Sequence, residues 1–481
     1  MAKGKTNTVV VLEGDTKITM SSCTNIVARP SNQQVFLTWT DPMLLWQSTT
    51  VRYKKGSAPT SETDGTLVIT ETTRNQYSET PLVVTGLTNG ETYYFSVFPK
   101  STTGIVNTNA SQIVSAKPRP LIYTVKIDQS NSHSLLCCTY DDDAIGMTKG
   151  SSDWDDIFGY KPCIMKDGVV QGYLNPNDFT KYENGTDAPI TDTDYDVMIE
   201  FPRRGLDIST EGDVITVSLT MEQNDSDFQY NAFRRGSTQK DYFYLGAYVA
   251  TGSSSKLGSN SGLTPLLNTT IADFITYAHN RGTGYEIMGF YQWTYIQTLY
   301  VLKYGNLNSQ VAVGRGYTNG STTQTTGYCN AKGMCYGNTS SFTDRVKLFG
   351  LEDAWGNVSQ WISGLYCNSN RNLLTTTDNF GVSTSSSKWE FNVSSGVSSD
   401  GSGWMTKAQG TNNGGFVYKV GDGSTTTFFS DYVYFYGSSD GNFPMVGGGY
   451  NYSYSAGIFG LRVEYKSWIT VASASSRLMF L

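Results

Sequence analysis

Leu348-Phe349-Gly350-Leu351-Glu352-Asp353-Ala354-Trp355-Gly356-Asn357-Val358-Ser359-Gln360-Trp361 is the stretch on which the fold of this 481-residue chain turns. Gly356-Asn357 is a turn pair, because both residue types tolerate the left-handed backbone that a sharp reversal needs. A reversal there gathers Trp355, Val358 and Trp361, and two indoles with a β-branched residue form a core more readily than a loop surface. The spacing predicts a turn that tucks these three side chains beneath a large loop region. It reports architecture and not chemistry.

Working outward, two helices are expected upstream. Thr269 or Thr270 can cap a segment in which Ile271, Phe274, Ile275 and Ala278 share a face, closed by Asn280-Arg281-Gly282. A second segment, about 289 to 304, places Trp293, Ile296, Leu299, Tyr300 and Tyr304 at helical spacing, with Lys303 in the last turn. His279 sits where a helix C-terminus favours a cation. From 305 onward the chain is rich in Gly, Ser, Thr and Asn, and it closes in short strands.

The stretch 348–361 resembles the GL-x-D-x-x-GNV-x-E/Q-W signature of the formylglycine-generating-enzyme branch of the C-type lectin fold. Tyr242 to Tyr248, Ile287-Met288, Ala456-Gly457-Ile458-Phe459 and the terminal Ser476-Arg477-Leu478-Met479-Phe480-Leu481 extend the resemblance over about 240 to 481. With Asp141 to Met147, Val197 to Pro202 and Asn308-Ser309-Gln310, the variety is most similar to tail proteins of phages of Gram-positive gut bacteria. Relatives there include retroelement-diversified tropism determinants.

The N-terminal part reads differently. Residues 1–22 hold the apolar run Thr8 to Leu12 and little to bury, and are expected to be a docking segment. Residues 23–118 carry strands at regular spacing: Val35, Leu37 and Trp39 alternate, then Val51 and Tyr53, then Tyr94, Ser96 and Phe98. Leu87-Thr88-Asn89-Gly90-Glu91-Thr92-Tyr93-Tyr94-Phe95-Ser96-Val97 resembles the fibronectin type III family, in which a Tyr pins the sandwich corner after a Leu and a turn; the resemblance implies a spacer. Pro118-Arg119-Pro120 reads as a stiff linker. Residues 119–240 are expected to be a β-rich connecting region of the head, and 241–481 the lectin-like domain with a terminal binding region at about 430–481. The fold class is thus mainly β with an α+β head, a β-sandwich followed by a C-type-lectin-like domain.

Composition narrows the function. Charged residues are 16% of the chain and the net charge is −7, with no basic run beyond Lys54-Lys55 or Arg203-Arg204, so the stripe that phosphate neutralisation needs is missing and nucleic acid is not an expected partner. No apolar run reaches membrane-spanning length, and no apolar segment follows Met1, so neither membrane insertion nor export is expected. Seven cysteines without repeated CxxC spacing fit neither a disulfide framework nor a zinc ribbon. Asp141 to Asp143 and Asp153 to Asp156 lack calcium-loop spacing and read as solvated loops. No metal, cofactor or catalytic residue is expected.

An oxidative enzyme of the formylglycine branch carries a thiol pair in its late loop, but Gly447 to Tyr454 has no cysteine, and Cys329 and Cys335 lie upstream of the signature. Only His133 and His279 exist, too few for a histidine triad. Formylglycine-type oxidation and glycan hydrolysis stand as enzymatic alternatives, and a structural baseplate or fibre subunit as a third.

The terminal region has the composition of a paratope, Tyr among Gly, Ser and Asn. Tyr432, Tyr434 and Tyr436 alternate with Val433 and Phe435 and are expected to pack a core. Tyr450, Tyr452 and Tyr454 alternate with Asn451, Ser453 and Ser455, so one set is expected to face outward. In retroelement-diversified relatives the variable residues lie in this stretch, which implies Tyr450, Tyr452, Tyr454, Gly460, Arg462, Glu464, Tyr465, Trp468 and Thr470 as binding positions. The family's commonest randomised codon, adenine-adenine-cytosine, cannot yield Trp, Glu or Lys, a departure at Trp468, Glu464 and Lys466. The resemblance implies a receptor-binding protein of a virion tail fibre or tail tip, made in the host cytoplasm. Its partners would be a host-cell surface receptor and, through the N-terminus, other tail or baseplate proteins, as a homotrimer.

Overall fold

A computed structural model describes residues 19–253, 255–370, 372–378, 381–393, 401–416, 418–435 and 442–481. The expected docking segment falls largely on residues 1–18, and Tyr436 on 436–441, both outside the described residues. The chain is mainly β and forms two compact units, Met1–Leu121 and Ile122–Leu481.

In the first unit the strands Thr24–Ser31, Gln34–Thr40 and Leu82–Thr85 form one antiparallel sheet, and Thr66–Glu71, Trp46–Lys55, Tyr93–Ser101 and Ile113–Ala116 form a second. Val35, Leu37 and Trp39 pack inward with Val51, as period-2 alternation requires. The late strand corrects the expected face: the core cluster takes Tyr93, Phe95 and Val97 rather than Tyr94, Ser96 and Phe98. Ser96 is buried as well and donates to Pro59 O at 2.8 Å, so both faces of this strand are covered and alternation could not assign the core side. The Tyr93 hydroxyl accepts from Thr88 N–H at 3.1 Å across the turn that follows buried Leu87. Residues 118–120 are tied to this unit, since Gly90 N–H donates to Pro118 O and Arg119 N–H to Ser31 O.

In the second unit an antiparallel seven-stranded sheet runs in the order Asp178–Tyr182, Val169–Asn175, Lys161–Lys166, Asp196–Pro202, Tyr242–Gly246, Leu478–Phe480, Tyr285–Ile287. The C-terminal strand is thus inserted between two strands that precede it by about two hundred residues, and strands from 161–202 share a sheet with it. A four-stranded sheet of Gly205–Glu211, Val214–Thr220, Ile122–Asp128 and Cys138–Asp142 belongs to the same unit.

Thr270 caps the helix Ile271–His279 by accepting from Asp273 N–H, and the second helix is Phe290–Tyr304, ended by left-handed Gly305. That second helix is not one-faced: every residue from Phe290 to Lys303 is buried, which makes it a central helix. The acidic tract at 141–143 is bonded into its strand pair, Asp141 to Lys126 and Asp142 to Thr124.

The signature turn has Gly356 at φ +80° and Asn357 at φ +61°, and Trp355, Val358 and Trp361 are fully buried. Beneath it lies something the residue pattern did not announce, a buried ionic network. Arg345 donates to Asp353 through Nε at 2.6 Å and again through its second nitrogen, and to Glu352 at 2.9 Å. Asn357 donates to Asp353 at 2.7 Å. Arg477, just before the C-terminal strand, donates to Gln360 Oε1 at 2.9 Å and to the carbonyls of Gly246 and Glu352 at 2.8 and 2.7 Å. Burial pulls the Arg477 guanidinium down to about 10 and the Lys347 ammonium to about 8. Satisfied on all sides, such a network fixes one arrangement of the loops above it.

Candidate binding surface

The terminal residues are carried by an irregular sheet whose middle strand, Gly457–Lys466, pairs antiparallel with Asn442–Gly447 and parallel with Tyr432–Phe435. In the parallel register Tyr434 stands opposite Arg462. Val433, Phe435 and Val463 are buried, while Tyr432, Tyr434, Arg462 and Glu464 are half-buried on the other face. This corrects the expectation for Tyr432 and Tyr434. Their alternation partners fill the core, so the tyrosines are turned to the outer face, where they T-stack on one another's neighbours: Tyr432 on Trp404 at 5.2 Å and Tyr434 on Tyr452 at 5.9 Å.

Arg462 is the centre of the surface. Its guanidinium lies 4.8 Å from the Tyr434 ring centroid, 5.1 Å from Tyr452 and 5.3 Å from Tyr465, and it is ion-paired with Glu464. It also donates to the Tyr465 hydroxyl at 3.1 Å. Burial pushes the Tyr465 phenol up, so it stays a neutral donor and acceptor. A guanidinium between aromatic faces is held by the ring quadrupoles and loses little further freedom when a partner arrives. A small cleft of about 10 Å³ lies beside it, lined in part by Tyr432, Tyr434, Tyr452, Gly460 and Arg462.

Two supports hold this surface from behind. Asp431 is completely buried, accepts from Phe459 N–H at 2.7 Å, and its carboxyl is raised well above the ordinary range by burial. Gly457 leaves it room, for a Cβ there would come within 2.0 Å of the carboxylate. From the other side Gln310 donates to Ser453 O at 2.9 Å and Ala456 O at 2.6 Å, and Gln297 donates to Ile458 O at 2.9 Å. The Asn308-Ser309-Gln310 segment therefore fastens the terminal loop.

The structure brings Tyr452, Arg462, Glu464 and Tyr465 together and separates the rest. Tyr450, Tyr452 and Tyr454 are not on a strand, as alternation led one to expect. Left-handed Gly447 and Gly448 end the strand, and Ser453–Ser455 forms a 3-10 turn. The tyrosines diverge accordingly. Tyr454, exposed, packs edge-on against Phe342 at 4.6 Å, with Arg315 over both rings. The Tyr450 carbonyl accepts from Gly320 N–H at 2.7 Å. Gly460 is buried and offers only backbone. Trp468 is 65% exposed beside Lys466, and Thr470 is exposed beyond it. Sequence reasoning missed Tyr432 and Tyr434 as members of this surface and Asp431 as its buried support; the one signal was the apolar character of Val433 and Phe435 between the tyrosines.

Cys329 is buried and Cys335 half-buried, and burial raises both thiols. His279 meets the buried carboxylate of Glu286 at 2.7 Å, so its partner is this group, shared with Arg235, as well as the helix end. Among the described residues no group of three or more His, Cys, Asp or Glu is placed to hold a metal, and no helix is long and apolar enough to cross a membrane.

No protein-family profile and no curated protein sequence matches the chain. Among solved structures it is similar to Major Tropism Determinant variants: P3c and I1, each at 10% identity over 80% of both chains with a TM-score of 0.26, and U1 at 11% identity and 0.24. A superposition that loose carries no argument about fold or function, which rest on the geometry above.

Proposed function

We infer that the chain is an adhesin of a phage tail fibre or tail tip that recognises a host-cell surface receptor through its C-terminal head. The observation that carries this reading is the Arg462 surface: aromatic rings and a paired guanidinium, partly exposed, on a strand whose reverse side is fastened by Asp431, Gln297 and Gln310. Rigid amphipathic side chains around an Arg are what binding hot spots use, because little entropy is lost on contact. Determining tropism, the role printed in the names of the Major Tropism Determinant variants, is the role proposed.

The remaining parts fit that reading. The three- and four-stranded sheets of the first unit and the Tyr93 corner support a fibronectin type III-like spacer. The insertion of the C-terminal strand beside Tyr242–Gly246, with Arg477 bonded under the signature, supports a C-type-lectin-like head. Attachment through the N-terminus, trimerisation and diversification of the terminal residues belong to the same proposal, as does binding without turnover, which the raised Cys329 and Cys335 thiols support.

The test is decoration of cells by the fluorescently labelled full chain across a panel of Gram-positive gut strains, with Arg462→Ala and Trp468→Ala alongside. At least one strain is stained by the unmodified protein, and Arg462→Ala weakens staining at least ten-fold, a loss of about 1.4 kcal/mol or more. Equal staining by both variants and the unmodified protein would sink the assignment of this surface.

A further inference from the structure

A second cleft, in the loops that precede the signature, shares no lining residue with the one beside Arg462. It is open, about 310 Å³ in volume, and is lined by Tyr317, Gln324, Tyr328, Ser341, Thr343, Asp344 and Arg345. Every one of these side chains carries a polar atom, and Arg345 is the one cation among them. Tyr328 is 54% exposed, with the Lys332 ammonium 5.9 Å from its ring centroid and its hydroxyl bonded to Asp344.

The groups in the cleft are held in place. Asp344 accepts from Tyr336 Oη at 3.0 Å, from Asn338 Nδ2 at 3.3 Å, from Arg345 N–H at 2.8 Å and from the Tyr328 hydroxyl, which orients its carboxylate. Gln324 donates to the Tyr317 hydroxyl at 3.0 Å. Its backbone is clamped by the signature residue Asn357, whose Oδ1 accepts from Gln324 N–H at 2.8 Å and whose Nδ2 donates to Gln324 O at 3.1 Å. The one guanidinium at the wall, Arg345, is turned into the buried network and neutralised by Asp353 and Glu352. The signature turn and its ion network therefore form the foundation of this cleft.

The chemistry of the lining selects the ligand. An apolar molecule meets a wall in which every side chain carries a polar group, and a phosphate or sulfate meets a carboxylate, a guanidinium already paired with Asp353 and Glu352, and a single ammonium, Lys332, beside the aromatic rings. A hydroxyl-dense, uncharged ligand finds a carboxylate, an amide and hydroxyls to exchange hydrogen bonds with, and an aromatic face for its C–H surface. The volume lies within the range of small-ligand clefts, about 300–1,000 Å³. We propose that the cleft between Tyr328 and Asp344 binds a segment of an uncharged glycan, a second recognition site independent of the Arg462 surface.

The experiment applies the labelled full chain to an array of neutral oligosaccharides built from glucose, galactose, mannose and N-acetylhexosamines, with sialylated and phosphorylated forms beside them. The strongest neutral oligosaccharide is then titrated in solution against the unmodified protein, Tyr328→Ala, Asp344→Asn and Arg462→Ala. At least one neutral glycan binds, Tyr328→Ala and Asp344→Asn each weaken it at least ten-fold, and Arg462→Ala leaves it unchanged. Tyr328 is exposed, so its truncation leaves the fold intact even if Asp344→Asn disturbs the loop. The proposal is overturned if no neutral glycan binds, if only charged glycans bind, or if Tyr328→Ala binds as the unmodified protein does. It is overturned too if Arg462→Ala abolishes glycan binding, an outcome that would move the glycan to the terminal surface and leave the adhesin reading standing.

Discussion

Asp353→Asn is the substitution that most directly probes the foundation of the head. Asp353 is fully buried and accepts three hydrogen bonds, two from Arg345 and one from Asn357. An asparagine has the same shape and tolerates the left-handed backbone that Asp353 adopts at φ +52°, so backbone strain drops out of the comparison. Either orientation of the new amide turns an N–H toward a nitrogen of Arg345 or of Asn357. The guanidinium is then left with Glu352 as its one carboxylate partner. Removing one partner of a buried ion pair costs about 3–5 kcal/mol, well above the ~0–1 kcal/mol of an exposed pair. Urea unfolding followed by tryptophan fluorescence reads this directly, because Trp355 and Trp361 are buried in the same turn. The expected result is a lower midpoint with an unchanged slope. A loss below about 1 kcal/mol would refute the view that this network holds the loops in place.

Two further outcomes follow from the same geometry. Gly457→Ala forces a Cβ to within 2.0 Å of the buried Asp431 carboxylate, whereas Gly460→Ala meets nothing nearer than 3.2 Å; the first should lower the melting temperature by the equivalent of about 1–3 kcal/mol or more and the second much less, and equal melts would show that the strand is free to shift. Burial raises the Asp196 carboxyl to about 6 even though Arg281 lies 2.7 Å away. A folded value above the unfolded ~3.9 contributes stability that is complete below about pH 4 and lost as pH rises through about 6, so the stability difference between the unmodified protein and Asp196→Asn should shrink over that window. Melts of both proteins at several pH values check it, and a difference independent of pH would contradict the sign.

The site was legible in part. Tyr452, Arg462, Glu464 and Tyr465 could be marked from position and residue type, but their neighbours could not. The sequence pattern points Tyr432 and Tyr434 to the core because tyrosine, valine and phenylalanine can all be buried, and alternation does not say which face is inward when both are apolar. The same ambiguity displaced the core face of Tyr93–Ser101 by one residue. Alternation also misled at Tyr450 to Tyr454, where Gly447 and Gly448 take left-handed backbone and turn the chain out of the strand.

What the amino-acid sequence determined by itself is local. The Gly356-Asn357 reversal, a cap at Thr269 or Thr270, the second helix over about 289 to 304 and the alternation of Val35, Leu37 and Trp39 each depend on residues within a few positions of one another, and backbone sterics settle them. What the tertiary structure decided is everything made by residues far apart. Arg345, Asp353 and Arg477 become one network, and Tyr434 and Arg462 one surface, because strand order brings them together. A charge in the sequence shows neither its partner nor its burial. Only packing supplies both, and here it turned the signature from a hydrophobic turn into the charged foundation of the cleft between Tyr328 and Asp344.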